Sequence, residues 1–429
     1  MLRLIQWLLA HDRLVRLATP VLGAFNPFRP EHRNDPHASW RALRSVAPVY
    51  RSRGLGCWVL TRYDDVLHVL RDRNFTTDRR EAPIFKLLSR FVRRDPELRT
   101  MLERNLLTLD GVEHARLRGL VSRAFTPRRV ERLRRRLQTV VDELLDRVPS
   151  DGRMDLVHDL AHPLPVTAIA ELLGVPAADR ARFRAWSSDL VQLVDPLQGH
   201  GGTATLKRAT REIFDYFRPL LAARRAEPRD DLLSAMATAA GEGDPVGELE
   251  LLGLASLLLV AGHETTANLI GNGVLALLAN PGERKRLQDD PGLISSAVDE
   301  FLRYDSPIQL TDRAVREDCE IGGVRIRKGQ LVALVLAGAN RDPKRFADPD
   351  RLDLGRTDNV HLAFGQGNHY CPGSQLAKLE AEVAIGTLLR RFPDFTGPSE
   401  PPAWRRSMII RGPQSLPLDL HGSGASPRS

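Results

Sequence analysis

Apolar positions along this chain recur mostly with a helical period, and strand-like alternation is confined to a few short stretches. After the turn signal Asp35-Pro36, residues 37–47 predict a short helix. Residues 48–51 and 58–61, split by Gly54-Leu55-Gly56, predict a hairpin. Val66, Leu67, Val69 and Leu70 give residues 63–71 one apolar helical face. Residues 110–125 read as a helix. From Pro127 to Ala240 the pattern is almost wholly helical, with breaks at 150–152, 174–176 and 199–202. The last break separates two helices expected to form a lid. After residues 241–244 comes a long helix over 248–278. Its run 251–260 is nearly all apolar, which predicts a central, buried helix. A further helix is predicted over 295–304. Alternation and glycines from 306 to 336 mark strands and a tight turn at Gly322-Gly323, with a buried strand over 331–336. A last helix starts near Gln375. The expected fold class is mainly α with small β-sheets.

Length and composition narrow this picture. The 429 residues are 42% hydrophobic and 27% charged, enough to bury a large core. No repeat and no Pro/Gly/Ser-rich linker divides them, so one domain is expected over 31–415. Residues 1–30 form an N-terminal extension, and 416–429 a polar tail. Within the extension, Leu2, Leu4, Ile5, Trp7, Leu8 and Leu9 are interrupted by Arg3 and ended by His11-Asp12-Arg13. That segment is too short to span a bilayer and lacks a signal-peptide layout, so it predicts an amphipathic helix. Cys57, Cys319 and Cys371 are too few and too scattered for a disulfide framework, which favours the cytoplasm. The net charge of +8 would permit binding to nucleic acid or an anionic membrane. The arginines are spread along the chain and interleaved with acids, so a solvated surface with one basic docking face is expected, and no nucleic-acid partner.

Candidate chemistry concentrates in four places. Residues 364–373 read Phe-Gly-Gln-Gly-Asn-His-Tyr-Cys-Pro-Gly. Cys371 therefore sits on a glycine-rich loop just ahead of a helix start, where backbone N–H groups and the helix dipole favour an anion. Such a place is expected to lower a thiol pKa and make thiolate the resting form. In the long helix, Ala261-Gly262-His263-Glu264-Thr265-Thr266 tempts a zinc reading, but the His-Glu-x-x-His pattern fails at Ala267. A hydroxyl at Thr265 is expected to compete for a backbone carbonyl and open the helix locally. His114 and Arg118 share a helix face and suit a pair of carboxylates. Glu300 and Arg303 are also neighbours on a helix, an ordinary surface pair when taken alone.

The first of these strings, Phe-Gly-x-Gly-x-His-x-Cys-x-Gly, resembles the haem-binding loop of the cytochrome P-450 family at all six specified positions. The other three fit the same family, in the same order. The resemblance spans roughly residues 32–413 and implies the cytochrome P-450 fold. It implies that Cys371 is the axial thiolate of a haem b iron, with Phe364 and Gly365 in the cofactor loop and Ala261 and Gly262 leaving room over the haem face. His114, Arg118, Arg313 and His369 would hold the haem propionates. Asp110-Gly111-Val112 stands where the family often has Asp-Pro-Pro, which alters the turn but not the two donors after it. Glu264 and Thr265 would manage protons for oxygen activation. Glu300, Arg303 and Arg356 would form a buried structural clamp. Residues 75–107, with Leu257, Ala261, Ile308 and Gln309, would line the substrate pocket. The implied function is a bacterial-type monooxygenase that hydroxylates or epoxidises a lipophilic small molecule, in the manner of secondary metabolism. Its two electrons would come from a ferredoxin or flavodoxin with an NAD(P)H-dependent reductase. Arg116, Arg123, Arg128 and Lys378 are candidates for docking that acidic partner. A haem-thiolate peroxygenase or isomerase and a non-catalytic relative are the rivals. Glu264 and Thr265 argue against the first two, and Cys371 against the third.

Overall fold

In the computed structural model, residues 26–27, 29–82, 95–122, 125–190, 202–239 and 247–421 are described. The N-terminal amphipathic segment, part of the 75–107 stretch, the break at 199–201, residues 241–244, Arg123 and the tail from 422 lie outside them. The elements that position the site are helices α1 (Pro36–Val46), α2 (Tyr63–Arg71), α3 (Gly111–Ser122), α4 (Arg134–Leu145), α5 (Pro163–Leu173), α6 (Arg180–Leu190), α7 (Gly202–Ala226), α8 (Glu248–Ala279), α9 (Ile294–Tyr304) and α10 (Ser374–Arg391). Among them run strands β1 (Val49–Ser52), β2 (Cys57–Leu60), β3 (Phe75–Thr76), β4 (Arg153–Asp155), β5 (Thr311–Val315), β6 (Cys319–Ile321), β7 (Val324–Ile326), β8 (Leu331–Leu334) and β9 (Pro417–Asp419). This is the expected mainly helical architecture with small sheets.

α8 organises the molecule. Residues 251–260 are buried all round the helix, as their unbroken apolar run requires. α5 packs along it on one side, and α9 and α10 pack on others. The five-stranded sheet, in the order β1-β2-β8-β5-β3, stands beside this core. Its period-2 pattern feeds two separate apolar clusters. Val59, Ala333 and Val335 face Trp40 and Leu43 of α1. Leu60, Val332 and Leu334 face Val66, Val69 and Leu70 of α2. The expected strand over 331–336 is shorter than its apolar run. It stops at Leu334 because the chain turns helical at Leu336–Ala339, with the Ala337 N–H donating to the Gln309 carbonyl.

The expected boundary of a polar tail at residue 416 moves. β9 pairs antiparallel with β4, Met154 opposite Leu418, and Leu416, Leu418 and Leu420 are buried. The alternating leucines supply enough apolar surface on one strand face to hold residues 416–420 in the body.

His32 and His37 make a testable point about acid stability. Burial drives His32 down to about 3. It drives His37 down to about 4, helped by Arg341 and opposed by Asp305 3.3 Å away. Between pH 6.5 and these values the unfolded chain takes up protons that the folded chain refuses, so stability rises with pH across that window. Each such histidine contributes up to about 1.4 kcal/mol per pH unit. The thermal midpoint should therefore fall as pH is lowered from 6.5 toward 4, and His37→Asn should flatten that slope in scanning calorimetry. An unchanged slope would count against the buried neutral form.

Candidate active site

Cys371 stands three residues ahead of α10 on a loop closed by its own N–H, which donates to the Phe364 carbonyl at 3.0 Å. Gly365 and Gly367 have φ of 70° and 72°, in the left-handed region. At Gly367 the requirement is also steric, since a Cβ there would lie 2.6 Å from the Leu70 carbonyl oxygen of α2. The thiol departs from the expectation of a resting thiolate. Burial raises its pKa, while the N–H groups of Gly373 and Ser374 and the charge of Arg118 pull only partly against that. Desolvation of the sulfur outweighs both the helix end and the Arg118 charge. A bound metal ion would remove the thiol proton on binding.

A cationic rim adjoins this loop. The rings of His114 on α3 and His369 lie 4.0 Å apart between centroids. His369 Nε2 is 3.6 Å from Asp110 and 3.3 Å from the Thr77 hydroxyl. Burial pushes His114 down to about 4, and the charges of His369 and Arg118 add to it. Burial also lowers Arg118 and Arg313. Asp110 is the acid among them. Burial works to raise its carboxyl, but hydrogen bonds from His369, Thr76 and the Gly111 N–H hold it well below the usual range. Arg118 has no carboxylate partner among the described residues, and His114 Nε2 is buried without a hydrogen-bond partner. Two arginines and two histidines gathered around Asp110, with Asp312 acting on Arg313, suit an anionic ligand, and two carboxylates would relieve the repulsion between the arginines. The residues present thus fit a planar macrocycle with a metal near Cys371 and two acid side chains toward this rim. Removing one donor leaves a buried charge unpaired, a change that costs about 2–5 kcal/mol at comparable sites. Arg118→Ala and Arg313→Ala should each lose haem on dialysis, read by absorbance, and wild-type retention in both would refute this rim.

Ala261 and Phe364 border the same apolar core. The Thr265 hydroxyl donates to the Ala261 carbonyl at 3.0 Å, and Thr266 donates to Gly262 at 2.9 Å. The expected opening of the helix is absent. α8 continues unbroken because both hydroxyls bond back to carbonyls four residues earlier without displacing the ladder. Glu264 is buried and engages its neighbour His263 together with Arg405 and His162, which no local motif connects to it.

The clamp is more complete than the helix spacing implied. Glu300 and Arg303 are fully buried and joined by two parallel bonds of 2.7 Å. Arg356 approaches Glu300 at 3.3 Å. No local motif points to the remaining partners. The Asp353 N–H and the Asn359 amide donate to Glu300. Arg303 donates to the carbonyls of Asn340, Pro349 and Arg351.

The candidate pocket positions divide. Leu257 is buried in α8, and Ile308 is half-buried and bridges Ile410. Gln309 does not fit a pocket role. Its amide donates to the Ser306 carbonyl at 2.7 Å and accepts from Trp40, so the side chain is committed to the framework. Two of the candidate docking cations are also engaged. Arg116 pairs with Glu250 at 2.8 Å and Lys378 with Asp299 at 2.7 Å.

A cysteine on a glycine-turned loop, a basic rim beside it and a threonine-bearing central helix together fit a haem-thiolate oxygenase. Comparison with known proteins agrees. The family model Cytochrome P450 matches residues 292–415. Cytochrome P450 107B1 of Saccharopolyspora erythraea is 42% identical over 93% of this chain and 98% of its own length. The vitamin D(3) 25-hydroxylase of Pseudonocardia autotrophica is 43% identical over 90% and 94%. The crystal structure of epothilone D-bound cytochrome P450epoK superposes with a TM-score of 0.87 at 34% identity, over 94% of this chain and all of that one. The chain belongs to the cytochrome P450 family. It is a monooxygenase of haem-thiolate type that acts on a lipophilic small molecule with electrons from a redox partner. Among the described residues, no helix is long and apolar enough to cross a membrane.

Proposed function

We propose that Cys371 is the axial ligand of haem b and that this chain hydroxylates or epoxidises a polycyclic or macrocyclic lipophile in the cytoplasm. The observation that carries the reading is the placement of Cys371, ahead of α10 and beside the cationic rim of His114, Arg118, Arg313 and His369. When bound, the haem supplies oxygen activation, with the thiolate favouring O–O cleavage. The protein's own residues do the rest. Phe364, Gly365, Ala261 and Gly262 shape the faces of the slot. Leu257 and Ile308 offer apolar surface to the substrate and exclude water. The substrate class follows from the apolar lining and from relatives named for vitamin D3 and epothilone D. A ligand screen of steroids, secosteroids and macrolides against the ferric haem spectrum tests it. Absence of a water-displacement shift with all three classes would overturn the substrate class.

Electrons are proposed to come from a ferredoxin or flavodoxin with its NAD(P)H-dependent reductase. Arg128, Arg132 and Arg135 are exposed beside α10 and make no ion pair among the described residues, so they replace Arg116 and Lys378 as docking cations. Charge reversal at Arg128 and Arg132 should slow reduction and weaken its salt dependence.

Protons are managed by Thr265 and Glu264. The Thr265 hydroxyl holds water over the haem side of α8, and Glu264 passes a proton to it. General acid–base groups contribute about 10²–10⁴-fold. Thr265→Ala should keep substrate-induced spectral shifts while diverting electrons to hydrogen peroxide. Glu264→Gln should slow turnover. The product formed per NADPH consumed reads both, and a wild-type ratio in Thr265→Ala would remove the hydroxyl from the mechanism.

A further inference from the structure

Glu264 lies in the buried stretch of α8, yet three polar side chains from three places in the chain converge on it. Arg405, in the segment between α10 and β9, brings Nη1 to 2.5 Å from Oε1. The other oxygen, Oε2, is 3.5 Å from His263 Nε2 and 4.0 Å from Nδ1 of His162, at the turn before α5. Arg405 Nη2 closes the ring of contacts, 2.8 Å from His162 Nε2.

The partners fix where the protons are. A guanidinium only donates, so His162 Nε2 accepts and that ring carries its hydrogen on Nδ1, toward Glu264 Oε2. His263 Nδ1 is 3.3 Å from the Leu259 carbonyl, which only accepts, so a hydrogen is there, and Nε2 faces the same carboxylate oxygen. The His162 ring, accepting at Nε2, is neutral. Burial drives His162 to about 4, with Arg405, His263 and His158 adding to it and Glu264 opposing, and burial lowers His263 as well. Oε2 thus lies between the two rings, facing Nδ1–H of His162 and Nε2 of His263. Exposure shows which end faces outward. The side chains of His162 and Arg405 are 20% and 19% exposed, against 10% for Glu264 and 4% for His263.

We propose that Arg405 is a latch on the proton relay and that His162 is the relay's outer end. The proposal rests on the reading of Glu264 as the relay's acid. With the latch closed, Arg405 occupies the one nitrogen through which the His162 ring takes up a proton from outside, and its guanidinium pairs with Glu264. With the latch open, a proton from water enters at His162 Nε2 and the Nδ1 proton passes to Glu264 Oε2. One proton enters, one is delivered, no electron moves, and the ring is left as its other tautomer.

The latch hangs from the element that bears on the candidate pocket. The Arg405 N–H donates to the Gly412 carbonyl at 3.1 Å, the Gln414 N–H to Ala403 at 2.8 Å, and Trp404 bridges Pro413, which makes a hairpin of residues 403–414. The returning limb carries Ile409, whose carbonyl accepts from Gln309 N–H at 2.7 Å, and Ile410, which bridges Ile308. A substrate seated against Ile308 presses on the same hairpin that holds the guanidinium. Proton entry is thereby tied to an occupied pocket.

Infrared difference spectroscopy reads the latch without turnover. Adding substrate to the ferric wild-type protein should raise a protonated-carboxyl band that Glu264→Gln lacks. Arg405→Gln should show that band before substrate is added, and should oxidise NADPH without substrate at least about fivefold faster than wild type. Arg405→Lys, which keeps the charge but reaches one acceptor, should fall between them. His162→Gln should keep the substrate-induced spectral shift, lose about tenfold in turnover and show a larger solvent deuterium isotope effect. If Glu264→Gln turns over like wild type, the relay reading fails and takes the latch with it. If Glu264→Gln is slow but Arg405→Gln matches wild type in band and in substrate-free oxidation, the relay stands and the latch is wrong. A wild-type rate and isotope effect in His162→Gln would put proton entry elsewhere.

Discussion

Cys371→Ser should abolish both monooxygenation and the thiolate-type carbon-monoxide difference spectrum. A serine oxygen is of similar size and fits the loop, whose course is set by Gly365, Gly367 and the bond from residue 371 to the Phe364 carbonyl. The fold should therefore survive, and near-wild-type far-ultraviolet circular dichroism is expected. The electronic consequence is large because an alkoxide is a poorer donor to iron than a thiolate, and the push that favours O–O cleavage is lost. The environment sharpens the contrast. Burial already raises the Cys371 thiol, with only Gly373, Ser374 and Arg118 assisting the anion, and a hydroxyl in the same place is still harder to ionise. Residual turnover, or an unshifted carbon-monoxide band in the variant, would remove Cys371 from the iron.

Arg303→Ala is expected to have the second largest effect, on stability rather than chemistry. Both members of the Glu300–Arg303 pair are fully buried. Truncating the arginine leaves the Glu300 charge and the Asn340, Pro349 and Arg351 carbonyls without that donor. Breaking a buried pair in this way typically costs about 3–5 kcal/mol, against a total stability of about 5–15 kcal/mol for ordinary domains. The variant should express poorly and incorporate little haem. Arg303→Lys should recover only part of the loss, because an ammonium cannot make the two parallel bonds to Glu300 while reaching three carbonyls. Equal thermal midpoints for wild type and Arg303→Lys would show that charge alone, not the planar fork, holds this region.

The clamp also shows how far local sequence carries. Spacing put Glu300 and Arg303 on one helix face, which is a property of the backbone period. It could not tell a surface pair from a buried one, since burial depends on what α9 packs against. Arg356, Asn359 and the carbonyls around 340–351 decide that, and they arrive from more than thirty residues away. The thiol of Cys371 is a similar case. A helix start favours an anion by a short-range field that sequence can locate, but desolvation is set by the whole enclosure and here it is the larger effect.

What the sequence determined by itself is whatever rests on period and on short strings. That covers the central helix α8, the hairpin β1–β2, the glycines that let residues 364–373 turn tightly, and the adjacency of Glu264 with Thr265 and of His114 with Arg118. The tertiary structure decided which of these groups meet partners distant in the chain. It brought Asp110 to His369, committed Gln309 to Trp40, drew Arg116 to Glu250 and folded residues 416–420 back onto β4. It also set Arg405 and His162 around Glu264, across more than a hundred residues on either side. The physical reason is that hydrogen bonding and helix period act over a few residues. Charge pairing and desolvation act through space, over distances that only the packed chain defines.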